Sequence, residues 1–337
     1  MPTPITWPSA KRFAGTAKET TQGTAVPPIT WTHPLDTCDV EDKYTWVDDT
    51  ARRGSMVEVH GRTQGVGASD ISLGGPAYCD GLGLWLNNIL GDLTTTPGTP
   101  NLHAFSVLNS GSAQPGSLTL VDWQGPPAAN KARVFAGVCL SELVLKGNAA
   151  SDFITMSAKA SGYLSAIAAA EPTSAPTSVV ALAGWRAKLG IAGPAAGGTL
   201  IAYMQEWECT ISRKINVQYT ANNTQQPYII QRGEVGVAWK FNFSKPPDET
   251  VLLPLLNNTQ PQVQVVATNG GAGAALLSLQ LDSQVCAWDT AKLNRGDEAV
   301  GYDVTAIGIA NTTNAGASGG YSPIKVSLQN SVAGATY

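Results

Sequence analysis

Long apolar runs are missing from this chain: nowhere in its 337 residues does a stretch approach the roughly 20 consecutive apolar residues that a bilayer-spanning helix needs. The N-terminus, Met1-Pro-Thr-Pro-Ile-Thr-Trp7, has no basic segment followed by an apolar one, so it does not read as a secretory signal. Both absences lead to the expectation of a chain that folds in the cytoplasm. Charge is also scarce, at 14% of residues, with a formal net charge of −4 and no run of five like charges. A dedicated nucleic-acid binder would carry a basic patch, so that class is disfavoured. Cysteine is limited to Cys38, Cys79, Cys139, Cys209 and Cys286, an odd count with no C-x-x-C pair. Small, buried, reduced side chains are the simplest reading, ahead of a Cys38–Cys209 disulfide.

Histidine is the scarcest source of chemistry. His33, His60 and His103 lie at no metal-ligand spacing with one another or with cysteine. His60 has Ser55 and Asp70 within reach in sequence, but no nucleophile elbow or oxyanion motif accompanies it. Gly61, Gly65 and Gly67 resemble a phosphate loop only in their glycines, because the Lys-Ser/Thr is missing and strand-like residues follow where a helix is required. The adjacent acids Asp48-Asp49 and Asp297-Glu298 sit beside turn residues. Trp123, Trp185, Trp207 and Trp239 admit a sugar-stacking platform, although packing is the commoner use of tryptophan. No enzyme signature survives, and no metal or cofactor is expected.

Gly 35 and Pro 21, with abundant Thr, Ser, Asn and Val, favour short strands joined by turns. The expectation is a mainly β protein. One pattern also occurs twice. Gly65 to Leu73, followed by a helix candidate from Tyr78 to Leu90, lies over Val235 to Phe243, followed by one from Asp248 to Thr259. Ile71 aligns with Phe241 and Asn87 with Asn257, both at an offset of 170. Upstream, Cys38 lies over Cys209; downstream, Gly137 to Leu145 lies over Gly301 to Ile309, and Ile154 to Ala158 over Ile324 to Leu328. A repeat this long reads as a duplicated domain, since solenoid periods are much shorter.

The boundaries follow from composition. Residues 1–32 are a proline-interrupted arm, 33–165 the first domain, 166–184 a linker rich in Ala, Pro, Ser and Thr, and 185–337 the second domain with its tail. In the first helix candidate Tyr78, Leu82, Leu86 and Ile89 form a stripe, Asp80 favours the N-terminus and Gly91 suits the C-terminal cap. In the second, Pro254 implies a late start or a kink, because interior proline costs about 3 kcal/mol. Between the first two strands of each copy lie polar segments, Asp48 to Ser55 and Thr220 to Pro227, which read as long hairpins.

The segment Arg12-Phe-Ala-Gly-Thr-Ala-Lys-Glu19-Thr-Thr-Gln-Gly23-Thr24 resembles the opening of tail tube proteins of long-tailed bacteriophages. The order that follows is similar too: a strand pair with a long hairpin, a short apolar helix, then Arg133-Val-Phe-Ala-Gly137 leading into further strands. The resemblance covers nearly the whole chain. It implies two tandem tail-tube-type β-sandwich or open-barrel domains, each with one short flanking α-helix. It further implies three chains per pseudo-hexameric ring and stacked rings forming a hollow tube in the virion tail. The tube would hold the tape-measure protein, end at terminator and tip proteins, and pass DNA transiently. On this reading Asp48, Asp49, Arg52, Arg53, Ser55, Asn222, Asn223, Gln225 and Gln226 belong to ring-stacking hairpins, and Asp70, Asp122 and Glu142 are candidate lumen-facing acids. The alternative is a two-domain β-sandwich lectin or adhesin, with an enzyme third.

Overall fold

The computed structural model describes residues 10, 12–26, 31–123, 132–150, 153–167, 176–244, 249–295 and 300–337. The first half contains β1 (Phe13–Lys18), β2 (Trp31–His33), β3 (Thr37–Asp49), β4 (Gly61–Pro76), α1 (Leu82–Ile89), β5 (Gly91–Thr96), β6 (Asn101–Val107), β7 (Leu118–Trp123), β8 (Ala132–Asn148), β9 (Thr155–Gly162) and β10 (Ala166–Ile167). The second contains β11 (Ala187–Ile191), β12 (Leu200–Ile201), β13 (Met204–Gln218), β14 (Ile229–Phe243), α2 (Glu249–Leu256), β15 (Val263–Thr268), β16 (Ser278–Ser283), β17 (Cys286–Arg295), β18 (Val300–Gly308) and β19 (Lys325–Asn330). The protein is mainly β, with two sheets packed as a sandwich, as its composition implies.

The larger sheet contains a continuous run of strands in the order β3-β4-β9-β8-β13-β14-β18-β17. Four come from each half, and each half repeats one order: hairpin, hairpin, returning strand, outer strand. The halves meet where β8 pairs antiparallel with β13. Strands β7, β1 and β2 continue from the N-terminal part of β8. The second sheet runs β12-β11-β15-β16-β19-β6-β5. Here β19, near the end of the chain, lies between β16 of its own half and β6 of the first. One hydrophobic cluster accordingly spans both halves.

Helix α1 lies between the sheets. The expected one-sided stripe is an understatement, because all eight of its residues are buried, as befits a helix covered on every side. Gly91 takes the positive φ of 91° expected after a helix end. Helix α2 starts at Glu249, so it does not start late, and Pro254 lies inside it as the sixth of its eight residues.

The register of the repeat differs from the one read in the sequence. Bulges interrupt β3·β4 between Tyr44 and Trp46, and β13·β14 between Arg213 and Ile215. Others interrupt β8·β9 between Leu140 and Glu142, and β17·β18 between Trp288 and Thr290. Matching the bulges aligns Tyr44 with Arg213 (213 − 44 = 169) and Leu140 with Trp288 (288 − 140 = 148). The β4·β9 and β14·β18 pairings obey the same frame, with Ile71 opposite Ala160 and Trp239 opposite Ala306. Cys38 therefore matches Trp207, not Cys209. Gly137 to Leu145, in β8, corresponds in sheet position to β17, whereas the sequence alignment set it over β18. A slip of two residues leaves every side chain on its original face, so alternation alone cannot detect it.

The opening segment is also more integrated than an arm, since β1 pairs with both β2 and β7 and buries Ala14, Thr16 and Ala17. Residues 1–9, 11 and 27–30 of the expected arm, and 168–175 of the expected linker, lie outside the described residues. The described parts of that linker are anchored: Ile167 is opposite Arg133 on β8, and Ala183 bridges to Phe153.

Candidate functional site

Strict alternation gives the continuous sheet two unlike faces. One face packs on the core with Cys38, Ile71, Leu73, Leu143, Leu145, Trp207, Cys209, Ile211, Trp239 and Phe241. The other carries Asp39, Glu41, Asp70, Glu142, Glu208 and Asp303 among Lys43, Lys146, Lys159, Lys240 and Lys292. Three acid–lysine contacts link neighbouring strands, and a longer one, Lys43 to Glu41 at 3.8 Å, lies within β3. Lys43 Nζ donates to Asp70 at 2.6 Å, Lys159 lies 2.9 Å from Glu142, and Lys240 donates to Glu208 at 2.7 Å. Pairs this exposed contribute little stability, typically below about 1 kcal/mol. Their effect is to keep a broad face charged and mildly acidic, with Lys43, Lys159 and Lys240 engaged by carboxylates.

Asp70 and Glu142 lie on that face. Asp122 does not. It is fully buried on β7, and its carboxylate accepts from Arg12 Nε at 3.3 Å. Burial inside the chain removes it from any lumen wall, which corrects the expectation for this residue.

Both hairpins project from the same end of the sheet. In the first, Asp48 accepts two bonds from Arg62, at 2.6 and 3.0 Å. Asp49 accepts from Arg53 and from the Ala51 amide, and Ser55 Oγ accepts from the Val57 amide. Arg52 is exposed. These polar residues shape the hairpin, but its apolar members are the ones left open: Trp46, Val47, Met56, Val57 and Val59 are all exposed, Met56 completely. The sequence reading attended to the charges and missed them, although a Met-Val pair at a polar tip was a legible signal. In the second hairpin Asn222, Asn223, Gln225 and Gln226 are exposed, and Asn223 takes a positive φ of 60°. Gln225 ties this hairpin to the first half: its side chain donates to Gln64 O and Gly65 O at 3.3 and 3.1 Å, and its carbonyl accepts from Gly67 N at 3.0 Å.

The seam between halves is held by two arginines that cap α1 across it. Arg213 on β13 donates to Ile89 O at 2.7 Å and Ala113 O at 3.0 Å; Arg232 on β14 donates to Asn88 O at 2.9 Å and also to Pro115 O. They satisfy carbonyls at a helix C-terminus, where cations are favoured. Burial, with the neighbouring Arg232 charge adding to it, lowers the Arg213 pKa to about 10. By contrast, no described strand pairs with the outer edge of β3 or of β17. Val40 is only half-buried at one of these edges, and Leu293 is 39% exposed at the other.

The residues considered for chemistry have structural partners. His33 is buried against Thr16 Oγ1, 2.6 Å from its Nε2, and desolvation lowers its pKa to about 3. His103 contacts Thr95 and Asn330, and the His60 amide donates to Asp49 O. All five cysteines are free and buried. Among the described residues no cluster of His, Cys, Asp or Glu has the makings of a metal site, and no helix is long and apolar enough to cross a membrane. Trp123, Trp207 and Trp239 are buried, so the four tryptophans considered as a sugar platform do not form one.

A family model described as phage tail tube protein matches residues 9–320, nearly the whole chain. No curated protein matches the chain.

Proposed function

The chain belongs to the phage tail tube protein family, and from that premise we propose that it is the major structural subunit of a tail tube, acting without catalysis. The observation that carries this reading is the continuous eight-stranded run built as two like sets of four, with an edge at each end that no strand among the described residues pairs. Open edges template further strands. A head-to-tail contact between unlike edges closes into a ring when the rotation allows. Three chains then contribute two wedges each, and the charged face turns inward.

Magnitudes favour a multi-chain wall. Strands about 4.8 Å apart, tilted about 40°, give 24 strands a diameter of roughly 50 Å. A closed barrel of only eight strands has an interior filled by its own side chains, whereas barrels of 16 or more leave an aqueous channel. The inward carboxylates would repel DNA phosphates, and three of the five lysines named on this face are held by carboxylates, so DNA passes without sticking. The tape-measure protein occupies the same channel before ejection, and terminator and tip proteins close its ends. Assembly takes place in the host cytoplasm.

The hairpins supply ring-to-ring contacts, with the exposed Met56 and Val57 as the apolar part. Electron microscopy of tubes grown from the purified chain tests the proposal: a cross-section with three chains and pseudo-sixfold modulation is expected. Isolated two-lobed monomers that bind glycan under all assembly conditions would overturn it in favour of an adhesin. Shortening the Asp48 to Ser55 hairpin should leave rings that do not stack, and tubes of normal length from that variant would refute the hairpin assignment.

A further inference from the structure

The seam inside the chain is a template for the seam between chains. In the frame set by the four bulges, Cys209 and Leu145, which face each other across β13·β8, correspond to Val40 on β3 and Leu293 on β17. Thr210 and Val144 correspond to Glu41 and Lys292. Glu208 and Lys146 correspond to Asp39 and Asn294. The internal seam thus joins an outer strand of one half to the first hairpin strand of the other, and β17 and β3 are the two strands of these types whose outer edges have no partner strand among the described residues.

Two independent features agree with transferring the register. Leu145 and Cys209 are both fully buried inside the seam, whereas Leu293 and Val40, on the same core-directed face, are left partly in water. Pairing in this register covers both. On the opposite face it sets Glu41 directly across from Lys292, both exposed in the single chain. Opposite charges at facing positions favour one register, and a slip by two residues would set Glu41 against Thr290 or Asn294.

We propose that β3 of one chain pairs antiparallel with β17 of a second copy, with Val40 opposite Leu293 and Glu41 opposite Lys292 of that copy. This inference rests on the tube reading and names the contact that closes its ring. The two kinds of seam are unequal. The positions of Arg213 and Arg232 are taken by Tyr44 and Gln64 in the first half, so the seam between chains lacks the arginine clamp on a helix end. It relies on strand pairing, burial of Leu293 and a salt-sensitive charge pair.

The test uses the full chain under conditions in which the unsubstituted protein forms tubes. Glu41→Lys and Lys292→Glu should each lower tube yield at least tenfold, and the double variant should restore it to within about twofold. Separately, Glu41→Cys with Lys292→Cys, oxidised in assembled tubes, should give covalent multimers on a non-reducing gel, and neither single cysteine variant should. Intact tubes with no such ladder, or a stronger ladder from Glu41→Cys with Thr290→Cys, would overturn the register while leaving the tube standing. Failure of the unsubstituted chain to form any tube would count against the tube reading itself.

Discussion

Replacing Arg213 by methionine tests whether the two halves are locked by the arginine clamp. Arg213 is 4% exposed, and its guanidinium donates to Ile89 O, Ala113 O and Gly233 O at 2.7, 3.0 and 3.1 Å. Hydrogen bonds to a charged donor contribute about 1.5–3 kcal/mol each, so three give roughly 5–9 kcal/mol. Against this stands the cost of burying the charge. The fall of its pKa from 12.5 to about 10 corresponds to roughly 3 kcal/mol against the charged form. Methionine keeps most of the chain volume and removes the burial cost, but it leaves the helix-end carbonyls without donors. The expected net loss is about 2–5 kcal/mol. Urea unfolding of the unassembled chain measures it, with the midpoint falling at unchanged slope. Arg213→Lys, with fewer and less fixed donors, should recover less than half. A loss below about 1 kcal/mol, or a gain, would show that burial cost cancels the bonds and that the clamp is not what holds the seam.

Acid should weaken the fold through His33. The folded pKa is about 3 and the unfolded one about 6.5, so the unfolded chain takes up the proton first and stability falls as pH drops from 6.5 toward 3. Between pH 6 and 5 the expected slope from this residue is about 1.4 kcal/mol per pH unit; urea midpoints in His33→Gln should lose that slope, and an unchanged slope would refute the assignment. Tyr337 is fully buried, with its ring against Gly83 and its hydroxyl donating to Asp80 O at 2.6 Å. Tyr337→Ala should therefore cost about 3–5 kcal/mol by the same assay, and a cost under about 1 kcal/mol would mean the pocket collapses around the gap. Pro254→Ala should raise stability by about 1 kcal/mol or more by restoring an amide donor inside α2. Destabilisation in that variant would show that the proline ring's packing outweighs the missing bond.

The β class, the hairpins, the position of α1 and the repetition of a hairpin followed by a helix were legible in the sequence, because each is written in local pattern: alternation of two, turn residues, and a short apolar stretch ending at Gly91. The strands after each helix were matched to the wrong partners, β8 to β18 and β9 to β19. Legibility stopped wherever position depended on residues distant in sequence. Asp122 alternates like a surface acid but is covered because β1 pairs with β7 and brings Arg12 over it. Trp46, Val47, Met56 and Val57 look like core residues by type and are exposed because the hairpin extends beyond its neighbours.

By itself the sequence determined a mainly β protein, a resemblance to tail tube proteins and a hairpin-then-helix pattern that occurs twice. The tertiary structure alone decided how the copies are joined. Strand register has a period of two, so the alignment of Cys38 with Cys209 satisfied every in-or-out pattern while standing two residues out of place. Four bulges, each a local break in the ladder, removed that ambiguity. The choice of β8 as partner for β13 likewise follows from edge exposure and a shared core, which are properties of the folded chain and not of any segment within it.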